Sequence, residues 1–565
     1  MRGKEGQPFI VLAEGTDRSQ GQNAQSNNIQ AARAISDAVR STLGPRGMDK
    51  MLVDSMGDVV ITNDGVTILN EIDIQHPAAK MMVEVAKSLE QEVGDGTTSS
   101  VVLAGELLNK SEDLLNDVHA TLITRGFNLA AERAQEILDN LTTDVDVDDD
   151  ELLAKVARTS MASKLSGGHL DTLAPVTVEA IRAVSRQRDG NVVVEKDDIG
   201  FSKKTGGSVE DTEVIDGLLL DKDRVHSGMP ETVEDANILL LNKAIEFEKT
   251  EVDSEIQISD PDQLQAFLDQ EQDVLEEMVD QIEASGANVV FCQKGIDDVA
   301  QHLLARRGIF AVRRAKKSDM QRLEKATGAR IVNSLDDLTE DDLGTAGRVE
   351  ERTIGDDTST FVTGAPDAEA VSVLIRGGTE HVVDEVERTL EDSIGSVAAA
   401  LEEGKVVPGA GATETEVALR LREYANTVGG REQLAIETFA DAIEIVPRTL
   451  AENAGMDAIQ VLVDLRSEHE NGNKSTGVLV DEGEIRDATA EGAVEPLRVK
   501  TQTIKSAAEA ATMVLRIDDV IASKGAFDED AGGPPAGGPG GPGGGPPGGG
   551  MPGGMPGGMG GLPGM

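Results

Sequence analysis

The order in which periodic segments follow one another constrains the fold more than any other feature of the sequence. Near the amino terminus, Ile29, Ala32 and Ile35 repeat at three- and four-residue steps, which is typical of an amphipathic helix. From Ala236 the pattern changes to short apolar runs that alternate with helical segments, and from about Thr379 helical segments dominate again. This order indicates an α/β multi-domain chain whose outer helical block is built from both chain ends.

The central block predicts a mainly parallel sheet with helical connections. Its predicted strands are 238–241, 289–292, 309–312 and 331–332. A long polar insertion, 250–285, separates the first two strands, and an ordinary helical connection is its simplest interpretation. The tail, 531–565, consists mostly of Gly and Pro with interspersed Met, a composition that cannot bury a core and predicts a flexible appendage.

Acidic residues greatly outnumber basic ones. The 565 residues include 103 Asp and Glu against 52 Lys and Arg, a formal net charge of -51, which argues against a dedicated nucleic-acid binder. At multimolar salt the screening length falls to about 3 Å, so surface carboxylates tolerate one another, and we expect a halophilic source. Cys292 is the single cysteine, and no stretch approaches the roughly 20 apolar residues of a membrane span. We therefore expect a soluble, cytoplasmic protein.

Two loops near the amino terminus follow predictable elements. Residues 50–54 and 58–62 predict a β-hairpin, and its second strand runs into Asn63-Asp64-Gly65, a strong turn signal. Pro77 begins a predicted helix that ends at Gly94. A second helix follows that loop directly, so the loop is expected to lie at a helix amino terminus.

The segment Gly94-Asp95-Gly96-Thr97-Thr98 has the composition of a phosphate-binding loop. Its glycines allow close approach of the backbone, its free amides and hydroxyls donate hydrogen bonds, and the helix dipole favours an anion. Asp95 would repel a phosphate unless a cation lay between them, and Mg²⁺ is the most suitable one. Taken alone the segment is a weak signal, because Gly-Asp-Gly is also a common surface turn.

No other segment completes a familiar catalytic pattern. The phosphate-binding Gly-x-x-x-x-Gly-Lys-Ser/Thr is absent, and neither the segment from Gly94 onward nor Gly409-Ala410-Gly411 completes the dinucleotide-binding Gly-x-Gly-x-x-Gly. The histidine pair of zinc peptidases is absent too. Any hydrolysis would therefore depend on carboxylates. By pattern alone Asp64 is a turn former, and Asp392, two positions past Leu390 and about 200° around the helix, is a solvated acid outside the apolar stripe.

Seven ordered stretches together resemble a known family. They are Thr-Leu-Gly-Pro-Arg-Gly-Met-Asp-Lys at 42–50, Thr-Asn-Asp-Gly-Val-Thr at 62–67, Gly-Asp-Gly-Thr-Thr-Ser at 94–99, Ser-Met-Ala-Ser-Lys at 160–164, Thr-Leu-Glu-Asp at 389–392, Val-Pro-Gly-Ala-Gly-Ala-Thr-Glu at 407–414 and Glu-Pro-Leu-Arg-Val-Lys at 495–500. Over about residues 9–525 the sequence resembles the group II chaperonins, specifically the thermosome of halophilic archaea.

The resemblance implies three domains in each subunit of a double ring that folds proteins at the expense of ATP. They are a mainly helical equatorial domain at 1–148 and 404–526, a small intermediate domain at 149–217 and 371–403, and an α/β apical domain at 218–370 with a helical protrusion at about 250–285. The Gly/Pro/Met-rich tail, 527–565, would project into the ring cavity.

The resemblance also implies roles for individual residues. Asp64 and Asp392 would orient and activate the attacking water, and Asp95 would bind Mg²⁺. The nucleotide would contact Gly44, Pro45, Gly96, Thr97, Thr98, Ser99, Lys164, Gly411, Glu495 and Lys500. Lys164 would sense the γ-phosphate, and K⁺ would be the monovalent ion.

The same resemblance changes the meaning of the insertion, because the apical protrusion of group II chaperonins serves as a built-in lid. Neighbouring lids or unfolded clients would meet Ile256, Ile258, Phe267 and Leu268, with plain packing as the alternative. The implied partners are unfolded proteins and further subunits, identical or paralogous, in the double ring. No separate lid protein, nucleic acid or membrane is expected.

Two other functions compete with the folding ATPase. An idle ring subunit or scaffold would hold nucleotide only as structure, but it would not need Asp64, Asp95 and Asp392, which are all present. Nucleic-acid binding would depend on one local basic cluster. Its members are Arg306, Arg307, Arg313, Arg314, Lys316 and Lys317. A basic face that pairs with the excess of acids explains this cluster more simply.

Overall fold

The computed structural model describes residues 17–53, 56–57, 59–165, 168–247, 261–336, 338–355, 357–366 and 369–522. Its helices are α1 Gln22–Arg40, α2 Gly65–Glu71, α3 Pro77–Val93, α4 Thr97–Leu114, α5 Ala120–Asp139, α6 Asp150–Met161, α7 Gly168–Val184, α8 Pro261–Ala284, α9 Asp298–Arg306, α10 Lys317–Thr327, α11 Glu380–Glu403, α12 Ala412–Ala425, α13 Glu432–Ile443, α14 Ile445–Asn453, α15 Ala458–Glu470 and α16 Leu497–Leu515. No helix in these ranges is long and apolar enough to cross a membrane.

The described residues also form β-strands, which pair into several sheets. They are β1 Asp17–Gln20, β2 Lys50–Val53, β3 Val59–Thr62, β4 Thr143–Asp144, β5 Ser185–Arg188, β6 Asn191–Val194, β7 Ile199–Thr205, β8 Glu213–Ile215, β9 Gly217–Leu220, β10 Thr232–Leu241, β11 Val289–Cys292, β12 Phe310–Val312, β13 Ile331–Val332, β14 Gly344–Ile354, β15 Asp357–Thr363, β16 Val371–Gly377, β17 Lys405–Pro408, β18 Thr476–Leu479, β19 Glu484–Asp487, β20 Val494–Pro496 and β21 Asp519–Ala522. The predicted hairpin is confirmed, because β2 and β3 pair antiparallel.

The largest apolar core is helical and draws on both halves of the chain. Ile29 and Leu107, from α1 and α4, are buried in one cluster with Leu465 of α15. At its centre the rings of Phe127 and Phe439 meet edge to face, with centroids 5.6 Å apart. This packing confirms the prediction that the outer helical block combines the two chain ends.

A second apolar core joins three helices to a small sheet. Leu153 of α6, Ile181 of α7 and Leu390 of α11 are buried together with Val373 of β16. In the sheet, β16 lies between β7, to which it is parallel, and β8, to which it is antiparallel. This core packs the long helix α11 against α6, α7 and the small sheet, and the same helix also contacts α16 of the first core.

The central sheet has seven strands and corrects the prediction of a mainly parallel one. Its order is β12-β11-β10-β14-β15-β9, and β13 also pairs with β10. The four predicted strands are present and parallel, but β14, β15 and β9 continue the sheet in antiparallel register. The turn between β14 and β15 is short, with Gly355 at φ 64°, and short turns join antiparallel strands. Polar residues along β14 concealed this strand from the apolar pattern.

The polar insertion ends in α8. Leu275, Val279 and Ile282, in its carboxyl-terminal half, are fully buried against the central sheet, so this part is an ordinary packed helix. Ile256 and Ile258 lie outside the described residues, as does the tail from 523 onward. The side chains of Phe267 and Leu268 lie outside the described residues too, so the lid assignment stays a prediction.

Candidate active site

A cavity of about 450 Å³ opens where the helical core meets α6. Its wall contains seven of the residues predicted for the site: Gly44, Pro45, Asp95, Ser99, Gly411, Glu495 and Lys500. They come from four separate parts of the sequence. Chain folding therefore assembles these residues around one space large enough for a small-molecule ligand.

The 94–96 loop needs glycine at both ends. Gly94 and Gly96 have φ values of 74° and 79°, and Gly96 is the N-cap of α4. A Cβ on Gly94 would lie 3.2 Å from the Cα of Gly395, and one on Gly96 would lie 2.4 Å from the hydroxyl of Thr503. The loop therefore packs tightly against α11 and α16, with the amino terminus of α4 facing the cavity. Thr97 begins this helix and is buried.

Asp64 begins a helix and does not form the predicted turn. Its side chain caps α2 by accepting the Thr67 N–H at 2.7 Å. Asn63 beside it donates to the Ser163 carbonyl at 2.7 Å. The turn prediction was wrong because an Asp before a helix-forming run is equally suited to the N-cap position. Gly65 packs directly against Thr98, so the amino termini of α2 and α4 adjoin.

Lys164 joins the two predicted catalytic carboxylates. Its ammonium lies 3.2 Å from Asp64 Oδ1 and also bonds Asp392 Oδ2. All three side chains are largely buried, with exposures of 8% for Lys164, 9% for Asp64 and 17% for Asp392. The two carboxylates and the lysine thus form one ion cluster beside the 94–96 loop.

The environment separates the proton affinities of the two carboxyls. Burial raises the pKa of Asp392 well above its usual range, and the nearby Lys164 ammonium only partly opposes this effect. Burial also acts on Asp64, but the charge of Lys164 and the hydrogen bonds from Thr67 outweigh it and leave the pKa of Asp64 below its ordinary value. Such divergent carboxyls are typical of acid–base sites.

The expectation that Asp392 is a solvated acid was wrong. A helical-wheel argument assumes that a helix has one buried face, whereas α11 is enclosed on several sides. Its apolar stripe packs in the second core, and Gly395 brings it against the loop at Gly94. Asp392, about one turn before Gly395 on the same helix, is therefore largely buried even though it lies outside the apolar stripe.

A second ion cluster contributes Glu495 and Lys500 to the cavity wall, whereas Asp64, Lys164 and Asp392 are not among the lining residues. Lys500 Nζ is 2.7 Å from Glu414 Oε1 and 2.8 Å from Glu495 Oε2. Burial raises the pKa of Glu495 to about 7, against the lowering effect of Lys500. Gly411, with φ 76°, caps α12 here and packs against Pro447.

A divalent metal could be held by Asp95. One Asp95 oxygen accepts the Gly96 N–H at 2.6 Å and the other accepts the Ser396 hydroxyl at 3.0 Å. The described residues contain no group of three or more His, Cys, Asp or Glu side chains suited to a metal on their own. A single carboxylate beside a phosphate cradle fits Mg²⁺, which commonly takes one or two carboxylates together with phosphate oxygens.

Comparison with known proteins settles the family. A model of the TCP-1/cpn60 chaperonin family matches residues 35–525. The chain belongs to this family. A thermosome subunit of Methanopyrus kandleri is 59% identical over 525 residues, which cover 93% of this chaperonin and 96% of that protein.

Two further likenesses support the same group. Thermosome subunit 1 of Haloferax volcanii is 54% identical over 544 residues, which cover 95% of this chaperonin and 96% of that protein. The open-state monomer of a group II chaperonin from Methanococcoides burtonii has a TM-score of 0.57 and 46% identity, covering 75% of this chain and 100% of its own. The resemblance to group II chaperonins is confirmed, whereas the halophilic source stays a prediction.

Sequence reasoning missed several residues of this chaperonin's site. Glu414 stands in a quoted stretch, and its place on α12 one turn past Gly411 was a usable signal. Ser396 and Ser160 gave no signal, because isolated serines in helices carry no pattern. Glu90 was also missed, although burial, together with the charge of Asp64, raises its pKa to about 7.

One member of the basic cluster that suggested nucleic-acid binding is neutralised within the chain. Arg307 bonds Asp280 and, through Nε at 2.7 Å, Glu283. Both acids lie on α8, packed beside α9. These pairs favour the simpler interpretation, a basic face that complements the acids of the same domain.

Proposed function

We propose that this chain is an ATP-hydrolysing chaperonin subunit that encloses and folds unfolded proteins in a double ring. The carrying observation is the buried Asp64–Lys164–Asp392 cluster beside the 94–96 loop. Charge neutralisation and an in-line water, more than covalent help, are what phosphoryl transfer requires of a protein. Two carboxyls of different proton affinity and one ammonium meet that requirement.

The phosphates would lie on the loop side of the cavity. Gly44, Pro45 and Gly96 would approach them through the backbone, and the hydroxyls of Thr97, Thr98 and Ser99 would donate from the first turn of α4. Their support is the helix amino terminus that faces the cavity. Bound at Asp95, Mg²⁺ would neutralise the charge that develops on the phosphates.

The attacking water would be held by the two catalytic carboxyls. Asp392, whose pKa is raised, is suited to accept the proton of the water, while Asp64 remains ionised and orients it. Lys164 touches both carboxylates and would report the γ-phosphate by exchanging one of these contacts for it.

The ribose and base would lie beside Gly411 and Glu495. Gly411 gives the backbone close access there, and Glu495 presents a carboxyl to the cavity. Lys500 is bonded to two carboxylates, so its role toward the nucleotide would be exerted through Glu495.

The proposed domains are supported by separate apolar cores. The first core draws on 29–138 and 407–515, within the equatorial ranges, and the second lies mainly within the intermediate ranges 149–217 and 371–403. The apical range, 218–370, holds the cores around the central sheet. Asp392 belongs to the intermediate part, so movement of α11 would complete or open the site and couple hydrolysis to closure.

The remaining proposals follow from the family. Each subunit would carry its own lid at about 250–285, clients and further subunits would be the partners, and the particle would work in the cytoplasm without a lid protein, nucleic acid or membrane. K⁺ would serve as the monovalent ion.

Refolding of a denatured reporter enzyme that is active in multimolar KCl tests the function. We expect Mg-ATP to restore its activity with the wild type and with Asp384→Ala, a half-buried acid of α11 paired with Lys203. Asp392→Ala should fail. Refolding that proceeds equally without nucleotide would contradict the proposal.

A further inference from the structure

The carboxylate of Asp95 is held from both sides. The Gly96 N–H binds Oδ1 at 2.6 Å, and the Ser396 hydroxyl lies 3.0 Å from Oδ2. The first contact is local to the loop, but the second comes from α11, one helical turn beyond Asp392. Ser396 is fully buried, so no solvent replaces its contact with Asp95.

The number of available protons determines which group donates in the contact between Ser396 and Asp95. Ser396 Oγ also lies 3.3 Å from Ser160 Oγ on α6. A hydroxyl has a single proton, and a carboxylate is the stronger and here the nearer acceptor. Ser396 therefore donates to Asp95, and Ser160 donates to Ser396. The result is a chain of hydroxyls that runs from α6 through α11 to the carboxylate.

A close helix–loop approach makes the contact possible. A Cβ on Gly395 would lie 3.1 Å from the Cα of Gly94 and 3.0 Å from the Val93 carbonyl. A glycine at this position lets α11 come close enough for the neighbouring Ser396 to reach Asp95. The same approach brings Asp392 beside the loop, so one helix positions both groups.

We infer that Ser396 is a positioning residue for the metal-binding carboxylate. By fixing the rotation of the Asp95 carboxylate it holds the remaining lone pairs of both oxygens ready for a divalent cation, as groups around a metal site commonly do. The inference rests on the proposed function, because it requires that Asp95 binds Mg²⁺ together with a nucleotide.

Titration of ADP binding against free Mg²⁺ tests this role without turnover. The full chain, in multimolar KCl, is measured by calorimetry from excess EDTA to saturating Mg²⁺ for the wild type, Ser396→Ala and Ser393→Ala. Ser393 is the matched control, because it lies on the same helix, is fully buried, and its hydroxyl has no hydrogen-bond partner in the described part of the chain.

We expect Ser396→Ala to raise the Mg²⁺ concentration for half-maximal tightening of ADP binding by about tenfold. Its ADP affinity in EDTA should stay within about twofold of wild type, and Ser393→Ala should match wild type in both conditions. A merely structural role would lower the two affinities together.

The outcomes separate this inference from the proposed function. If Mg²⁺ tightens ADP binding by the wild type and the Ser396→Ala and Ser393→Ala variants respond alike, only the role of Ser396 is overturned. The same holds if Ser396→Ala weakens ADP binding equally in EDTA. Wild type whose ADP affinity does not respond to Mg²⁺ would overturn the metal assignment of Asp95 and this inference with it.

Discussion

Replacing Glu495 with glutamine should stabilise the folded chain at alkaline pH. Two carboxylates, Glu414 and Glu495, share the single ammonium of Lys500 in a buried cluster that therefore carries an excess negative charge. Burial raises the pKa of Glu495 from 4.5 to about 7, which means that folding disfavours its charged form. Glutamine keeps the shape of the side chain and removes that charge.

The magnitude follows from the change in proton affinity. Each tenfold change is worth about 1.4 kcal/mol, so the change from 4.5 to about 7 corresponds to about 3 kcal/mol. Since 22% of the side chain remains exposed to the cavity, we expect a stabilisation of roughly 1–3 kcal/mol. The gain should be full above about pH 7, shrink as the pH falls toward 4.5, and vanish below that pH, where the folded and unfolded carboxyls are both protonated.

Urea denaturation followed by circular dichroism, at pH 8 and at pH 5 in multimolar KCl, measures the effect. Glu491→Gln is the control, because Glu491 lines the same cavity but is 43% exposed, and we expect it to change stability little at either pH. The proposed ribose contact predicts that Glu495→Gln also weakens ADP binding. A Glu495→Gln chain that is less stable than wild type at pH 8 would refute the reasoning.

Three further predictions use the same denaturation assay or thermal melting. Lys164→Met should lower the free energy of unfolding by roughly 3 kcal/mol, because two buried carboxylates lose their shared cation. Lys155→Met breaks a solvent-exposed pair and should lower it by less than about 1 kcal/mol. Equal losses for the two variants would contradict the stabilising role of the buried cluster. Gly94→Ala should destabilise more than Gly190→Ala, since both glycines have positive φ but only a Cβ on Gly94 meets a neighbour; equal effects would deny the close approach. Transfer from multimolar to 0.2 M KCl should lower the melting temperature of a chain with net charge -51, and a melt insensitive to salt would contradict the halophilic origin.

Patterns of apolar residues were sufficient for most of the fold. Helices such as α3, from Pro77 to Val93, have a start signal, a periodic face and a glycine end, and they lie where the pattern predicts them. The antiparallel part of the central sheet was missed because the long strand β14 consists mostly of glycine and polar residues, with only Ala346, Val349 and Ile354 apolar, and so shows neither an apolar run nor a regular alternation. Sheet partners depend on tertiary packing, which periodicity does not encode.

The candidate site divides in a similar way. Glycine-rich loops with hydroxyl side chains indicate an anion-binding site. Seven of the predicted residues do line the cavity. The pattern could not predict the burial of Asp392 or its contact with Lys164, because 228 positions separate the two residues. The contact of Ser396 with Asp95 was also beyond prediction, since it depends on how closely α11 approaches one loop.

Phosphate release from ATP in multimolar KCl, measured with and without Mg²⁺ for wild type and Asp392→Ala, tests the central claim most directly. Nucleotide binding is recorded for both proteins in parallel. We predict Mg²⁺-dependent release by wild type, and in Asp392→Ala near-normal binding with release slowed by about 100-fold or more, because the phosphate loop is retained while the water loses its base. Release at the wild-type rate from Asp392→Ala, or binding without release in both proteins, would contradict the account.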